Sequence, residues 1–295
     1  MKIIQSFNIP LHSALRNTRC GKRLLYFVML LFVINGCAQK PLPTTRLVIK
    51  GSDTMLMLTQ LLTEEYLKLN PGIAIYVEGG GTGSGIKALI RNEIDICTAS
   101  RDLMADELQL LAEKYNSLGV KYTVAKDALS VFVNPKNPVY NLNTEQIKQI
   151  FTCEIDNWSD LGGEDKPITP IIRNPNSGTY LYFKEHILLG DEYCDSSLVR
   201  PTTQSILEEV QDNPYSIGYG GIGYIEGVKH IMINGIEPSE QNTQNGLYPI
   251  SRYLYFIVLD KNNKHTKSFI NWVLTKEGQK IVKASGYIPL WEISY

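Results

Sequence analysis

The stretch Arg173-Asn174-Pro175-Asn176-Ser177-Gly178-Thr179 decides how the rest of the chain is read. Residues 168–172 before it form an apolar run, which predicts a buried strand ending at Arg173. Asn-Pro-Asn-Ser-Gly is turn chemistry. From Thr179 through Lys184 the spacing fits a helix. The expectation is therefore strand, tight loop, helix N-terminus. A helix N-terminus presents unpaired N–H groups and a partial positive charge, and both favour an anion. Ser177 and Thr179 add hydroxyl donors there, and Arg173 adds a guanidinium able to fork onto two oxygens. A plainer reading has Ser177 only capping the helix and Arg173 in an ordinary salt bridge. The stretch by itself leaves both open.

The same unit recurs upstream. Residues 47–50 read as a strand, Gly51-Ser52-Asp53-Thr54-Met55 as a polar turn, and residues 56–69 as a helix that stops at Asn70-Pro71-Gly72. Residues 73–77 are the next strand. Gly79-Gly80-Gly81-Thr82-Gly83-Ser84-Gly85 then leads into a short helix over residues 86–90. Glycines remove side chains so that backbone amides can approach a ligand; a glycine hinge without a ligand is the alternative. Gly80 and Gly85 fit the start of a P-loop, but Ile86 stands where that loop needs lysine, which argues against nucleotide hydrolysis.

Residues 95–100 predict a strand ending in Ala99-Ser100-Arg101-Asp102, residues 105–115 a helix, and residues 121–124 and 129–133 two further strands. Thr144 caps a helix by its residue type. Residues 205–210, 266–274 and 277–283 read as helices, residues 216–220 and 253–259 as strands, and residues 230–246 as a polar loop. Strand and helix alternate, and polar turns recur at strand carboxyl ends, where open α/β sheets bind ligands.

The first 36 residues carry five basic residues, no acidic ones, and an apolar run at 24–34 that is short for a membrane span and suits a signal-peptide core. The run ends in Ile34-Asn35-Gly36-Cys37, which resembles a bacterial lipobox. That predicts a signal peptide over 1–36, a lipid on Cys37 and a tether over 37–45; a plain signal peptide with a chance cysteine is the alternative. About 258 residues follow Cys37, enough for one large or two modest α/β domains. Of the chain's 29 basic and 30 acidic residues, only basic ones precede Cys37, so the mature part is acidic, which argues against nucleic acid as partner. Three cysteines remain there. Cys97 sits in an apolar run. Cys153 and Cys194 can pair in an oxidising compartment.

GSDTM at 51–55, GGGTGSGIKALI at 79–90, TASR at 98–101, AKDALSVFVNP at 125–135, RNPNSGT at 173–179, SIGYGGIGYI at 216–225 and YPISR at 248–252 together resemble the phosphate-binding lipoproteins and periplasmic proteins of ABC-type phosphate uptake. The resemblance spans nearly all of the mature chain. It implies a two-lobed α/β periplasmic-binding-protein fold of type II, each lobe a mixed sheet flanked by helices. Lobe I would take 46–126 plus 226–295 and lobe II 127–225, with hinge crossovers near 126–128 and 221–225. It implies inorganic phosphate as ligand, ABC permease subunits as partner, no cofactor, and a lipid-anchored place in the cell envelope, facing periplasm or exterior. Carried over by motif position, the phosphate donors fall on Thr54, Met55, Thr82 or Ser84, Arg173, Ser177, Gly178 and Thr179.

One departure matters. Some members carry an aspartate after the Ala-Ser that ends the third strand, where it accepts a hydrogen bond from protonated phosphate. Here Arg101 stands there, as a further possible contact. An acceptor separates protonated phosphate from fully ionised sulfate, because a buried carboxylate facing sulfate is repelled. Asp53 or Asp102 is left to supply it, and Asp53 is the expectation. Two other function classes stay in view. The same fold binds sulfate, molybdate or another oxyanion, or acts as a sensor. A phosphatase-like hydrolase has less behind it, since His186, His230 and His265 lie far from the candidate loops, and the chain carries no Gly-x-Ser-x-Gly elbow and no metal-ligand spacing.

Overall fold

The computed structural model describes residues 45–224, 226–259 and 263–291. The signal peptide, Cys37 and the tether up to residue 44 lie outside the described residues, as does Ile225 at the end of the second expected crossover.

The strands are β1 (Thr45–Gly51), β2 (Ile73–Glu78), β3 (Ile96–Ala99), β4 (Val120–Val133), β5 (Asn141–Leu142), β6 (Thr169–Arg173), β7 (Leu198–Arg200), β8 (Ser216–Gly221), β9 (Lys229–His230), β10 (Met232–Ile233) and β11 (Ser251–Val258). Nine of them join one mixed sheet in the order β2-β1-β3-β11-β4-β8-β6-β7, with β9 beside β4; β5 and β10 pair separately. The helices are α1 (Leu56–Leu69), α2 (Thr82–Arg91), α3 (Ala105–Tyr115), α4 (Thr144–Phe151), α5 (Gly178–His186), α6 (Thr203–Asp212), α7 (Glu240–Gln244), α8 (Lys264–Val273) and α9 (Lys276–Ala284).

Alternation along the strands sorts the core onto both sheet faces. On β11, Leu254 and Phe256 pack with Leu58 and Leu62 of α1 and Phe269 of α8. Tyr255 and Ile257 pack on the other face with Leu89 of α2 and Leu111 of α3. In the second half of the sheet Val131 and Val133 of β4 join Phe151, Phe183 and Tyr219, while Phe132 turns the other way, onto Ile206 and Val210 of α6. Both halves are thus sheets covered by helices on two faces.

The structure corrects several sequence expectations. Residues 121–124 and 129–133 are not separate strands but parts of one 14-residue strand. Its polar middle stays extended because Lys126 pairs with Tyr253 and Asp127 with Arg252 in the ladder to β11. The partner then changes: Ala128 faces Ser251 of β11, and Leu129 faces Gly221 of β8. So a single strand links the two halves. The glycine loop is shorter than expected, because α2 starts at Thr82. A Cβ on Gly85 would lie 2.6 Å from Gly51 Cα and 2.7 Å from the Lys50 carbonyl oxygen, so that glycine serves the packing of α2 on β1. Asn143, not Thr144, caps α4 by accepting from Gln146 N. Residues 230–246 hold β10 and α7 as well as loop. Cys153 and Cys194 form a disulfide, and Cys97 is free and buried.

Candidate functional site

Arg173 ends β6 with 1% of its surface exposed. Its Nη2 donates to Asp53 Oδ2 at 2.6 Å and to the Pro201 carbonyl at 2.9 Å, and Nη1 donates to Thr203 Oγ1 at 3.0 Å. Nε is buried and has no hydrogen-bond partner among the described residues. Burial pushes the guanidinium below its ordinary pKa, and the Asp53 carboxylate pulls it back. A buried, singly compensated guanidinium with an unpaired N–H is costly unless an acceptor meets it. One turn on, Ser177 caps α5: its Oγ accepts from Thr179 N at 3.2 Å and Tyr180 N at 3.4 Å. The capping and salt-bridge readings of this stretch are therefore both realised, and neither uses up the donors. Accepting two bonds leaves the Ser177 hydroxyl proton to be given elsewhere.

The GSDTM turn meets this helix from the other half of the sheet. Asp53 and Thr54 lie in a short 3-10 turn after β1. Asp53 Oδ1 accepts from Gly80 N at 2.8 Å, which ties the glycine loop to the turn. Thr54 Oγ1 and Thr179 Oγ1 are 2.8 Å apart, both fully buried. Tyr224 donates to the Asp53 carbonyl at 3.0 Å and Tyr287 to the Thr54 carbonyl at 2.5 Å, so the turn's backbone is fixed from behind. Met55 N donates to the Ser52 carbonyl, and its side chain is in the core.

Thr82 and Ser84 are now separated. Thr82 Oγ1 accepts from Ser100 N at 3.2 Å and lies 3.4 Å from Ser100 Oγ. A Cβ on Gly178 would lie 2.5 Å from Thr82 Oγ1 and 2.6 Å from Ser100 Oγ, so these three residues converge on one point. Ser84 instead donates to the Gly80 carbonyl at 2.7 Å and the Gly81 carbonyl at 2.9 Å. Asn176 completes the contact between the loops: its carbonyl accepts from Gly83 N, and its Nδ2 donates to the Gly80 carbonyl, each at 3.0 Å.

Arg101 is turned away from this cluster. It forks onto Glu107 at 2.8 and 2.7 Å and donates to the Asp102 carbonyl. Asp102 is exposed and pairs with Lys121. Of the two acceptor candidates, only Asp53 stands among the donors.

Sequence reasoning assigned no role to Ser100, Asp127 or Arg252. Arg252 is 4% exposed; its Nη1 donates to Thr179 Oγ1 at 3.1 Å and to the Ser100 carbonyl at 3.2 Å, and its Nε donates to Asp127 Oδ2 at 3.0 Å. Asp127 is fully buried, and burial raises its pKa against the pull of Arg252 and of Ile222 N. All three sit inside quoted motifs, but no spacing rule connects residues 73 or 125 apart in sequence. The chain's large open groove, about 850 Å³, runs past Arg101, Tyr182 and Ser251 and shares only Arg252 with the cluster.

Buried hydroxyls, two guanidinium groups that each keep a buried nitrogen with no hydrogen-bond partner among the described residues, and the Asp53 carboxylate thus meet from both halves of the sheet. That set suits a small oxyanion carrying a proton. Among the described residues the one Ser–His contact, Ser130 Oγ to His230 Nδ1 at 2.5 Å, lies elsewhere, and no group of His, Cys, Asp or Glu is placed to hold a metal ion.

The chain matches the PBP superfamily domain over residues 38–277. The phosphate-binding protein PstS of Pseudomonas aeruginosa is 35% identical over 263 residues, covering 81% of this chain and 81% of that protein. PstS of Bacillus subtilis is 30% identical, covering 84% and 81%. Among solved structures, a Clostridium perfringens protein described as a phosphate ABC transporter substrate-binding protein, with bound phosphate, superposes with a TM-score of 0.78 at 29% identity, covering 83% of this chain and all of that one. The mixed sheet flanked by helices is accordingly a periplasmic-binding-protein fold, and the chain belongs to the PBP superfamily, in the family of the PstS phosphate-binding proteins.

Proposed function

We propose that this protein captures inorganic phosphate between its two halves and hands it to an ABC permease. The observation that carries the reading is the meeting of residues 52–54, 80–82 and 173–179 around Arg173, whose Nε has no partner among the described residues. The proposed donors are Thr54, Thr82, Arg173, Ser177, Gly178 and Thr179, with Ser100 added and Asp53 as the acceptor. The Met55 amide and the Ser84 hydroxyl, each satisfied within its own turn, are left out. Relatives that bind phosphate support the choice of ligand.

The lobes are expected as 46–126 plus 226–295 and 127–225, but β9 pairs with Phe132 and Val133 of β4, β10 pairs with β5, and Tyr248 and Ile250 pack with Val131 and Tyr219, so residues 229–250 go with lobe II. The change of β4 partner between Ala128 and Leu129 supports one hinge close to the expected crossover at 126–128. Hinge closure around the ligand is the expected motion. The Cys37 lipid would hold the protein at the membrane outside the cytoplasm.

A purified mature chain tests this by thermal melting with phosphate, arsenate, sulfate and molybdate. A ligand at a thousandfold excess over its Kd adds about 4 kcal/mol, which is roughly 10 °C for a chain of this size. Phosphate should give that shift and sulfate almost none. A melting point that ignores every anion in the set ends the proposal.

A further inference from the structure

Arg252, on β11, is three strands away from the Arg173 stretch on β6 and belongs to no motif role, yet its guanidinium ends on Thr179. The ladder between β4 and β11 puts Arg252 directly opposite Asp127. Asp127 Oδ2 receives Nε at 3.0 Å and lies 2.9 Å from Nη2, while Oδ1 accepts from Ile222 N at 3.0 Å. This fixes the guanidinium plane. The remaining nitrogen, Nη1, then points at the Ser100 carbonyl and Thr179 Oγ1. Side-chain exposure is 2% for Arg252 and 0% for Asp127, so the arrangement is shielded from water.

Hydrogen-bond polarity gives this contact a consequence. Arginine donates and never accepts, so Thr179 Oγ1 must be the acceptor from Arg252. Its own proton has to go elsewhere. Thr54 Oγ1, 2.8 Å away, is the other neighbour. If Thr54 donates to Thr179, the Thr179 proton is left over. If Thr179 donates to Thr54, the Thr54 proton is left over. In both orders one hydroxyl proton of the pair is free for a third group, and that group must accept. Without Arg252 the pair would still have one proton to spare, but the Thr179 lone pair that Arg252 occupies would be open and the hydroxyl free to turn either the proton or a lone pair toward a third group.

We propose that Arg252, held by Asp127, is a positioning residue of the anion site: by occupying a lone pair of Thr179 Oγ1 it orients the Thr179–Thr54 hydroxyl pair so that its spare proton is presented to the bound oxyanion. This rests on the oxyanion reading above and names a residue that reading does not need. The competing explanation is that Arg252 only braces the crossing between β4 and β11.

A double-mutant cycle separates the two. Inorganic phosphate is titrated calorimetrically into the wild-type chain, Arg252→Gln, Thr179→Val and the double variant at one pH. A positioning role predicts that Arg252→Gln weakens binding about thirtyfold, Thr179→Val by a similar factor, and the double variant by little more than Thr179→Val alone. Arg252→Gln should keep its full effect beside Thr179→Ser, which retains the hydroxyl. Losses that multiply, or an Arg252→Gln variant that binds as tightly as wild type, overturn the inference. If Arg252→Gln melts without cooperativity, the same cycle is run with Asp127→Asn/Arg252→Gln, which leaves no lone buried charge. A wild-type chain that binds no oxyanion sinks the oxyanion reading itself and this inference with it; a binding wild type with a multiplicative cycle sinks only the inference.

Discussion

Replacing Asp53 with asparagine probes the pair that ties the two halves of the sheet together. Asp53 Oδ2 accepts from Arg173 Nη2 at 2.6 Å, with side-chain exposures of 6% and 1%. Removing one member of a buried ion pair typically costs about 3–5 kcal/mol, because the other charge stays buried without compensation. Asparagine keeps an oxygen for Gly80 N, so the lower end applies. About 3 kcal/mol corresponds to a fall in melting point of roughly 8 °C for a chain of this size.

Anion binding should move in a different way. A bound dianion supplies part of the charge that Arg173 has lost, a gain common to phosphate and sulfate that cancels from their ratio. Discrimination should shrink from both sides. Phosphate loses the acceptor for its proton, and sulfate is no longer repelled by a carboxylate. An acceptor bond to a charged group is worth about 1.5–3 kcal/mol, so the phosphate-to-sulfate ratio should fall by about a hundredfold. Competitive calorimetry reads the ratio, and melting curves with and without phosphate read the stability. A variant that melts within about 2 °C of wild type and keeps its phosphate-to-sulfate ratio would refute both the energetic weight of the pair and the acceptor role of Asp53.

Gly178→Ala places a methyl 2.5 Å from Thr82 Oγ1 and 2.6 Å from Ser100 Oγ, so the two halves must separate to admit it; phosphate affinity should drop at least about tenfold while the free chain loses only about 1–3 kcal/mol, and an unchanged affinity would show that these hydroxyls do not close on the ligand. Cys153→Ser/Cys194→Ser opens a link spanning 41 residues and should cost about 4 kcal/mol, read as a lower melting point that matches the wild type under reductant. Burial lowers the pKa of His230 below its ordinary 6.5, outweighing the Tyr224 carbonyl that raises it. The unfolded chain then takes up this proton first, so stability is full above pH 6.5 and declines as pH falls toward the folded value. His230→Gln should flatten that part of a urea-unfolding pH profile, and an unaltered slope would place the titration on another group.

The strand–turn–helix units were legible because their signals are local. Apolar runs, Asn-Pro-Asn-Ser-Gly and the Ser177 cap act within a few residues of one another. What was missed depends on partners far along the chain. Lys126-Asp127 looks like a break between strands, and it stays extended only because Tyr253 and Arg252 pair with it across the sheet. Thr82 and Ser84 looked equivalent because the start of α2 could not be placed. Two residues apart on a helix means roughly opposite faces, so once the first turn is fixed, one hydroxyl faces Ser100 and the other returns to the Gly80 carbonyl. Arg101 looked like a free cation, and Glu107, six residues on, claims it.

The two buried arginines of the proposed site also account for how an acidic protein would hold an anion. Each has its own buried aspartate, Arg173 with Asp53 and Arg252 with Asp127. The guanidiniums therefore contribute oriented N–H groups and little net field. Exposed charges lose their influence beyond about 8–10 Å at physiological salt, so the acidic surface neither attracts the ligand nor spoils the site. Recognition is left to short-range donors and one acceptor in a place shielded from water, where an unmatched proton or lone pair is costly. Such a site reads the protonation pattern of an oxyanion more than its charge. A net-positive pocket of the same size would do the reverse: it would accept any dianion and lose phosphate to sulfate.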